Sequence, residues 1–290
     1  MQMIQIGNMP RSNPLTGNQT PVKETPYSSG EWKLVECLET GMVFLENPPE
    51  YSQLVEEFAW EKTFEEERIR RRAKEPIVAL TSHLSKSVRQ KMQKRERIER
   101  VAFRILSRLV NEKGIKDRIT IIDVGCGTGE KLCSISSYFQ EKTGILVSPV
   151  GIEISAELAR ETSERLSQLG GRCVHSSAFE GLKRLENDSA DLVIFCSYLE
   201  HEVEPLEVLR TATCKLKKGG YVIIKVPNFG CWNRYVRQKN WCGFRYPDHV
   251  NYFTPRTLTR MVETSGLKLW RMNLYDRLPT NDSVWAIARR

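Results

Sequence analysis

A glycine-rich loop placed between a buried strand and a helix constrains this chain more than any other feature of its sequence. The apolar run Thr120–Val124 is followed at once by Gly125-Cys126-Gly127-Thr128-Gly129, and a helical pattern begins near the last glycine. Glycine lets a ligand approach the backbone closely, and the first turn of a helix offers unpaired N–H groups. This order predicts a ligand-binding turn at the carboxyl end of a sheet strand.

Strand-length apolar runs alternate with helical patterns from Arg118 to the end of the chain. Five β-α units and a hairpin-like finish predict an α/β fold, a Rossmann-like doubly wound, mostly parallel sheet of seven strands. The helix that starts at Pro205 is predicted to end at the pair Gly219-Gly220. The last two strands are predicted over Leu267–Tyr275 and Val284–Ala288.

The residues before this domain differ in composition. Residues 1–30 are rich in Pro, Gly, Ser, Thr and Asn without an apolar period, which predicts a flexible tail. Residues 31–118 are predicted to be a mainly helical region that begins with a strand pair, and residues 119–290 are predicted to form the α/β domain that carries the glycine loop. Within the middle region, helices are expected over about 50–72 and 84–112.

The positive charge is local. The chain of 290 residues has 44 Lys and Arg against 36 Asp and Glu, a net charge of +8, and the stretch Lys86–Arg108 supplies nine basic and two acidic residues. Apolar residues recur there every three to four positions, as in a helix with one buried face. Two interpretations stay open: a solvated helix face, or a surface for phosphate-bearing substrates, nucleic acid or anionic lipid.

Other features limit the location of the protein. No run approaches the ~18 consecutive apolar residues of a membrane span, so no integral membrane association is expected. The first residues lack the pattern of a secretory leader, and the eight cysteines are scattered without CxxC spacing. We therefore expect a cytoplasmic protein with reduced thiols.

The glycine loop also indicates which ligand to expect. Glu153 ends the next predicted strand, where an acidic side chain can accept hydrogen bonds from two ribose hydroxyls. The dinucleotide fingerprint would need a third glycine where Glu130 stands, and the chain has no P-loop pattern. The segment Asp123–Gly129 instead resembles the first motif of class I S-adenosylmethionine-dependent methyltransferases. The resemblance continues through Asp191–His201 and Lys217–Gly220. The insertion that contains His249 is similar to the corresponding segment of ubiquinone-pathway O-methyltransferases and sugar methyltransferases.

The resemblance implies S-adenosylmethionine as cofactor and assigns its contacts. The methionine end would lie against Asp123 and the glycine loop, the ribose against Glu153, the adenine near Ala178 and Phe179, and the reacting methyl beside Cys196 and Ser197. Ser177 replaces the acidic residue that the family usually places near the adenine amino group. The full set of cofactor residues implied is Asp123, Gly125, Cys126, Gly127, Gly129, Glu153, Ile154, Ala178, Phe179, Cys196 and Ser197.

Catalytic candidates must reach the open end of that pocket and align, or deprotonate, the acceptor. His201 and His249 are the leading candidates, and Tyr198 is a third. His249 lies in an insertion rich in aromatic residues after the fifth strand, which suits a lid over a substrate. For both histidines a structural role stays open: a cap on the following helix for His201, and a loop hydrogen bond for His249.

A metal-dependent alternative fails at one position. RNA 3′-terminal methyltransferases bind a divalent cation through an ExxEH motif and a distal histidine; here Glu200, His201 and His249 match, but Ser197 stands in place of the first glutamate. We therefore assign no metal ligands from the sequence. The chain is predicted to methylate a small-molecule or glycan-precursor acceptor. Two alternatives remain: a nucleic-acid methyltransferase that uses the basic stretch 86–108, and a non-catalytic protein that binds S-adenosylmethionine for regulation.

Overall fold

The computed structural model describes residues 10–49 and 98–290 of the chain. Its larger sheet has seven strands: β4 Arg118–Val124, β5 Leu146–Glu153, β6 Arg172–His175, β7 Ala190–Cys196, β8 Leu216–Pro227, β10 Lys268–Arg271 and β11 Ser283–Arg289. Their order in the sheet is β10-β11-β8-β7-β4-β5-β6. Strands β4 to β8 pair in parallel, whereas β11 and β10 add antiparallel at one edge. The predicted fold class is confirmed.

Helices cover both faces of this sheet. They span α1 Ile98–Lys113, α2 Glu130–Thr143, α3 Ala156–Ser167, α4 Ala178–Lys183, α5 Pro205–Lys215, α6 Trp232–Arg237, α7 Pro255–Thr264 and α8 Leu274–Arg277. Buried residues of α1, α2 and α3 pack in one hydrophobic cluster, and those of α4, α5 and α7 pack in another. The central strand β7 contributes side chains to both clusters: Leu192 and Ile194 pack in the first, and Val193 and Phe195 pack in the second. The sequence of a strand that is buried on both faces is a nearly continuous apolar run, and the sequence of β7 has this form.

The segment 10–49 forms a second sheet with a strand from far along the chain. This sheet has the order β1-β2-β3-β9, where β1 is Val22–Glu24, β2 is Leu34–Cys37, β3 is Val43–Leu45 and β9 is Asn251–Tyr252. Residues 10–30 were expected to be a tail without structure, but β1 pairs with β2, and Asn13 and Leu15 are buried. The side chain of Leu15 packs in the main hydrophobic core. The polar composition of this segment does not predict that contact.

Two predicted element ends are wrong, and one prediction is only partly covered. Helix α5 ends at Lys215 rather than at Gly219, because β8 already begins at Leu216 and Gly219 takes a left-handed φ of 85° within it. The last part of the predicted strand Leu267–Tyr275 is the short helix α8. The predicted helix 84–112 is described from Ile98 onward as α1, and the predicted helix 50–72 lies outside the described residues. The division of the chain at residue 118 stays a prediction.

Within the two described ranges, no helix combines the length and apolar character needed to cross a membrane.

Candidate functional site

The glycine loop after β4 has a backbone that side chains would obstruct. Gly125, Gly127 and Gly129 take φ values of 68°, 57° and 73°. A Cβ atom on Gly125 would lie 2.5 Å from Cδ2 of Tyr198, and one on Gly129 would lie 2.8 Å from the methyl group of Thr162. The first and third glycines are therefore required by positive φ and close packing together.

Glu153, at the end of β5, is bound to this loop by its carboxylate. Oε2 accepts a hydrogen bond from the Gly127 N–H at 2.9 Å, and Oε1 accepts from the N–H groups of Ile154 and Ser155 at 2.8 and 3.0 Å. A carboxylate has about four lone-pair sites, so these three bonds orient Glu153 and leave capacity for a ligand hydroxyl.

Asp123, the penultimate residue of β4, is a buried acid without a donor. Among the described residues neither carboxylate oxygen has a hydrogen-bond partner, and the side chain is fully buried. The pKa of Asp123 is raised to about 6, chiefly by burial; the Lys131 ammonium opposes this rise and the charge of Glu153 adds to it. An unpaired buried carboxylate is costly, so a ligand that supplies a positively charged donor would be favoured here.

Lys131 belongs to the same site and was given no role by the sequence analysis. Burial is the largest influence and disfavours the charged form of Lys131, but the Asp123 carboxylate together with Cys196 and Cys126 outweighs it, so the pKa of Lys131 is raised. The sequence pattern does not reveal this role, because the glycine motif indicates only a backbone site and a lysine on the first turn of a helix is common. We name Asp123, Glu153, Lys131 and the loop Gly125–Gly129 the glycine-loop site.

The residues expected around an adenine lie beside Glu153. The Ser176 N–H donates to the Glu153 carbonyl at 3.0 Å, which places the start of α4 next to the end of β5. Ala178 is buried and Phe179 is half-buried. The Lys183 ammonium lies over the Phe179 ring, 4.2 Å from its centroid. The Ser177 hydroxyl accepts a hydrogen bond from the Glu180 N–H, so this residue caps α4.

The turn after β7 connects the glycine loop to a second group of side chains. Cys196 is buried at the strand end, and Ser197 takes a left-handed φ of 59° while its N–H donates to the Lys225 carbonyl at 2.8 Å. A serine at positive φ is strained, and such strain concentrates at functional sites. The next residue, Tyr198, packs its ring against Gly125 and donates its hydroxyl hydrogen bond to Glu202 at 2.5 Å.

Three side chains from two distant segments converge beyond this turn. Glu200, His201 and His249 each place one possible metal-binding atom within 4.8 Å of the others. The two imidazole centroids are 4.6 Å apart in an edge-to-face arrangement. We name these three residues the histidine cluster. Glu200 Oε2 is buried and has no hydrogen-bond partner among the described residues.

Each imidazole is oriented by a partner at its Nδ1 atom. His201 Nδ1 lies 2.7 Å from Asp248 Oδ1, and Asp248 Oδ2 lies 2.6 Å from a terminal nitrogen of Arg245. His249 Nδ1 lies 2.8 Å from the Gly243 carbonyl, which can only accept, so this nitrogen carries the proton. Neither histidine caps a helix. The hydrogen bond between His249 and a neighbouring loop is present, and it leaves Nε2 of His249 available.

The cluster holds its two imidazoles in opposite electrostatic conditions. Burial opposes the charged form of His201, but Asp248 outweighs burial, so the pKa of His201 is raised. Burial, together with the neighbouring His201, lowers the pKa of His249 well below its usual value. Burial also opposes ionisation of Asp248, but the surrounding cations lower its pKa to about 2. Burial raises the pKa of Glu200. The arrangement offers a neutral imidazole beside a more basic one.

The sheet has the strand order of class I methyltransferases that use S-adenosylmethionine. A glycine loop follows its first parallel strand and an acid ends its second, and together these features define that class. A family model described as a methyltransferase domain matches residues 93–271. The chain belongs to that family, which confirms the resemblance found in the sequence.

Two of the relatives are O-methyltransferases. The chain is 26% identical over 182 residues to a malonyl-[acyl-carrier protein] O-methyltransferase of Marinomonas sp. (strain MWYL1), covering 62% of this chain and 63% of that protein. It is 24% identical over 174 residues to a ubiquinone biosynthesis O-methyltransferase of Vibrio parahaemolyticus, covering 56% and 69% respectively. The match thus spans less than two thirds of the length of the Marinomonas protein.

A solved structure with a TM-score of 0.50 shares the fold. The CurJ carbon methyltransferase superposes with a TM-score of 0.50 at 12% identity, covering 66% of this chain and 53% of that one. A SAM-dependent methyltransferase from Archaeoglobus fulgidus gives a TM-score of 0.45 at 19% identity, covering 68% and 96%. At these identities the likeness concerns the fold alone.

Proposed function

We propose that this chain transfers the methyl group of S-adenosylmethionine to an oxygen atom of a small-molecule or glycan-precursor acceptor. The observation that carries this proposal is the glycine-loop site and the histidine cluster joined by one turn, Tyr198–His201. That turn packs on Gly125 at one end and carries Glu200 and His201 at the other. An oxygen acceptor is supported by the imidazole pair, which suits a hydroxyl that must lose a proton, and by the names of the relatives.

The glycine-loop site suits the cofactor group by group. The unpaired Asp123 carboxylate suits the α-ammonium group of S-adenosylmethionine, and the remaining acceptor site of the oriented Glu153 carboxylate suits a ribose hydroxyl. Ile154, Ala178 and Phe179 would contact the nucleoside, and Cys196 and Ser197 would line the reacting methyl. When bound, the cofactor supplies an electrophilic methyl group on a sulfonium.

The histidine cluster would act on the acceptor. His249 presents a neutral Nε2 that can take the proton of an acceptor hydroxyl, since its Nδ1 proton is held by Gly243. His201, held by Asp248, would donate to the developing oxyanion and fix the position of the acceptor. Alignment of the acceptor oxygen with the methyl carbon would supply the remaining rate enhancement.

Cation binding is a second candidate role for the same cluster. It is favoured by the approach of three donor groups within 4.8 Å and by the outer partners of both imidazoles, which is how metal-binding histidines are usually held. In that case Glu200, His201 and His249 would be the ligands, and the cation would lower the pKa of an acceptor hydroxyl. Equal methylation rates in EDTA-treated and Mn²⁺-supplemented protein would reject this role.

Cofactor binding is testable before any acceptor is known. We expect S-adenosylhomocysteine to bind in titration calorimetry and to raise the melting temperature. Glu153→Gln should weaken the affinity at least tenfold because a neutral amide orients less well against three N–H donors. The control Glu157→Gln changes an exposed residue on α3 and should leave the affinity within twofold. Without binding by the unaltered protein, the proposal fails.

Turnover is tested by release of S-adenosylhomocysteine in the presence of phenolic, carboxylate and sugar hydroxyl acceptors. We expect release with at least one hydroxyl acceptor and at least a hundredfold loss in His249→Gln. Cofactor binding without release for every acceptor would favour the regulatory alternative.

A further inference from the structure

An arginine near the amino terminus reaches the segments that carry the histidine cluster. The Arg11 guanidinium donates to the carbonyl of Val250 at 3.0 Å, to that of Glu202 at 3.4 Å, and to that of Val203. It also donates to Oδ1 of Asn251 at 2.9 Å. Arg11 lies outside residues 93–271, the part of the chain that the family model matches.

These acceptors belong to two segments that must stay together for the cluster to exist. The first is the turn after β7, which carries Glu200 and His201; the second leads from His249 into β9. Direct bonds already join them: the N–H groups of Val250 and Asn251 donate to the Glu200 carbonyl at 2.8 and 3.1 Å, and His201 pairs with Asp248. Arg11 donates to both segments at once and so adds a link that comes from a third segment of the chain.

Asn251 completes the link. Its side-chain amide donates to the carbonyls of Leu199 and Glu202 at 2.7 and 2.6 Å, while its Oδ1 accepts from Arg11. The three bonds orient the amide unambiguously, since only one orientation gives two donors to carbonyls and one acceptor to a guanidinium.

Arg11 is itself anchored in the second sheet. Its N–H donates to the Glu46 carbonyl at 2.9 Å, and its guanidinium lies 5.7 Å from the ring centroid of Phe44 in β3. Burial lowers its pKa to about 10, against the effect of Glu204 and Glu202, so it remains charged at neutral pH. A planar guanidinium with five donors can serve several carbonyls at fixed angles, which an ammonium cannot do.

We propose that Arg11 is a positioning residue for the acceptor site: it fixes the separation between the turn bearing Glu200 and His201 and the segment bearing His249. The proposal rests on the function proposed for the histidine cluster. Arg11 does not act on the acceptor, because its guanidinium is already directed at main-chain carbonyls and Asn251. Through it, the amino-terminal sheet contributes to a site that the family-matched segment would otherwise form alone.

The test compares Arg11→Met, Arg11→Lys and the control Arg260→Met in the full chain. Arg260 also joins the amino-terminal segment to the large domain, through the Thr40 carbonyl at 3.3 Å, but from helix α7. Hydrogen exchange should accelerate at least tenfold at the amides of Val250 and Asn251 in Arg11→Met. The amides of β7 and β8 should keep their rates. Arg11→Lys should recover part of the protection, and Arg260→Met should leave those two amides unchanged.

Histidine resonances give a readout that general destabilisation does not move. In Arg11→Met the imidazole signals of His201 and His249 should shift, while that of His175, which contacts the Ile154 carbonyl, should stay. The affinity for S-adenosylhomocysteine should remain within twofold. Unchanged exchange at Val250 and Asn251, or an equal rise at all core amides, would overturn the proposal.

The same variants separate this proposal from the function on which it rests. If no acceptor is methylated but the local exchange and histidine signals change as expected, the proposed function fails alone. If an acceptor is methylated and Arg11→Met matches Arg260→Met in kcat/KM and exchange, the positioning role fails alone.

Discussion

The glycine-loop site and the histidine cluster lie one turn apart, yet they are assembled in different ways. In the first, the functional groups follow the ends of two neighbouring strands, and backbone N–H groups orient the Glu153 carboxylate. In the second, residues from positions 200–201 and 248–249 meet through side-chain and loop contacts, with Arg11 from a third segment. A site built on strand ends is local in sequence, whereas a site built across loops depends on long-range packing.

The largest effect is expected where the two regions touch, at Gly125. In Gly125→Ala the new methyl group would lie 2.5 Å from the Tyr198 ring at a φ of 68°, so either the loop or the turn must move. We expect at least a hundredfold loss of S-adenosylhomocysteine affinity by calorimetry, together with shifted His201 and His249 resonances.

Gly144→Ala is the matched control for that substitution. Its φ of 72° is almost the same, but a Cβ there has no atom within 4 Å. Only backbone strain of about 1 kcal/mol is expected, without a change in affinity. Equal affinities of the two variants would show that the loop and the Tyr198 turn are not tightly coupled.

The next effect concerns charge in the glycine-loop site. A rise of the Asp123 pKa from 3.8 to about 6 corresponds to about 3 kcal/mol against its ionised form at neutral pH. The sign follows: this residue's contribution to the stability of the ligand-free protein is largest below pH 3.8 and is lost as the pH rises through about 6. Asp123→Asn should therefore raise the melting temperature at pH 8.

The same substitution should weaken S-adenosylhomocysteine at least thirtyfold, because the amide cannot pair with the ligand's ammonium group. In the unaltered protein the affinity should rise with pH up to about 6 and then level off; in the variant this dependence should vanish. A variant that loses both stability and affinity would mean that Asp123 is important for the fold rather than for the ligand.

A smaller effect, confined to the histidine cluster, is expected from Asp248→Asn. The pKa of Asp248 is lowered to about 2, so its contribution of about 2 kcal/mol is present above pH 3.8 and is lost as the pH falls through 2. Removing the charge should lower the pKa of His201 in an NMR titration and reduce acceptor methylation at least tenfold. Cofactor affinity should stay within twofold, and a larger change would erase the distinction between the two regions.

The smallest effect is expected from the basic stretch. In its described part, the buried face of α1 packs on the sheet, and Arg108 is paired with Glu112 at 2.6 Å, as a solvated helix face would be. We expect weak RNA binding that changes less than twofold in the triple variant Arg95→Glu, Arg97→Glu, Arg100→Glu. Steep salt dependence together with loss of binding in that variant would favour the nucleic-acid alternative.

The sequence was sufficient for the larger sheet and for the conformation of the glycine loop because both obey local rules, although it gave no role to Lys131. Buried parallel strands are continuous apolar runs, and the loop after β4 is specified by glycines within five residues. The cap at Gly219 was misplaced for a local reason as well: lysines followed by a glycine pair are typical of a helix end, but pairing of Leu216 with Ala190 in β7 already makes that segment a strand.

The histidine cluster was only half predictable. His201 and His249 could be named as candidates, but the sequence offers no sign that Asp248 and Gly243 orient them. The missing glutamate at Ser197 argued against a shared site, yet Glu200 and both histidines converge without it. Arg11 and β1 were missed because the residues around them are polar and irregular. The bonds from Arg11 to Val250 and Asn251 also span 239 and 240 positions of the chain, which no local pattern reveals.

The pairing of β3 with β9 also has a consequence for how the molecule is made. Val43 pairs with Tyr252, so one edge of the small sheet stays open until about 200 further residues have left the ribosome. At about 5–20 residues per second this interval lasts about 10–40 s. For that interval the apolar side chains of β2 and β3 lack the later residues, including Val250 and Tyr252, against which they pack in the folded protein.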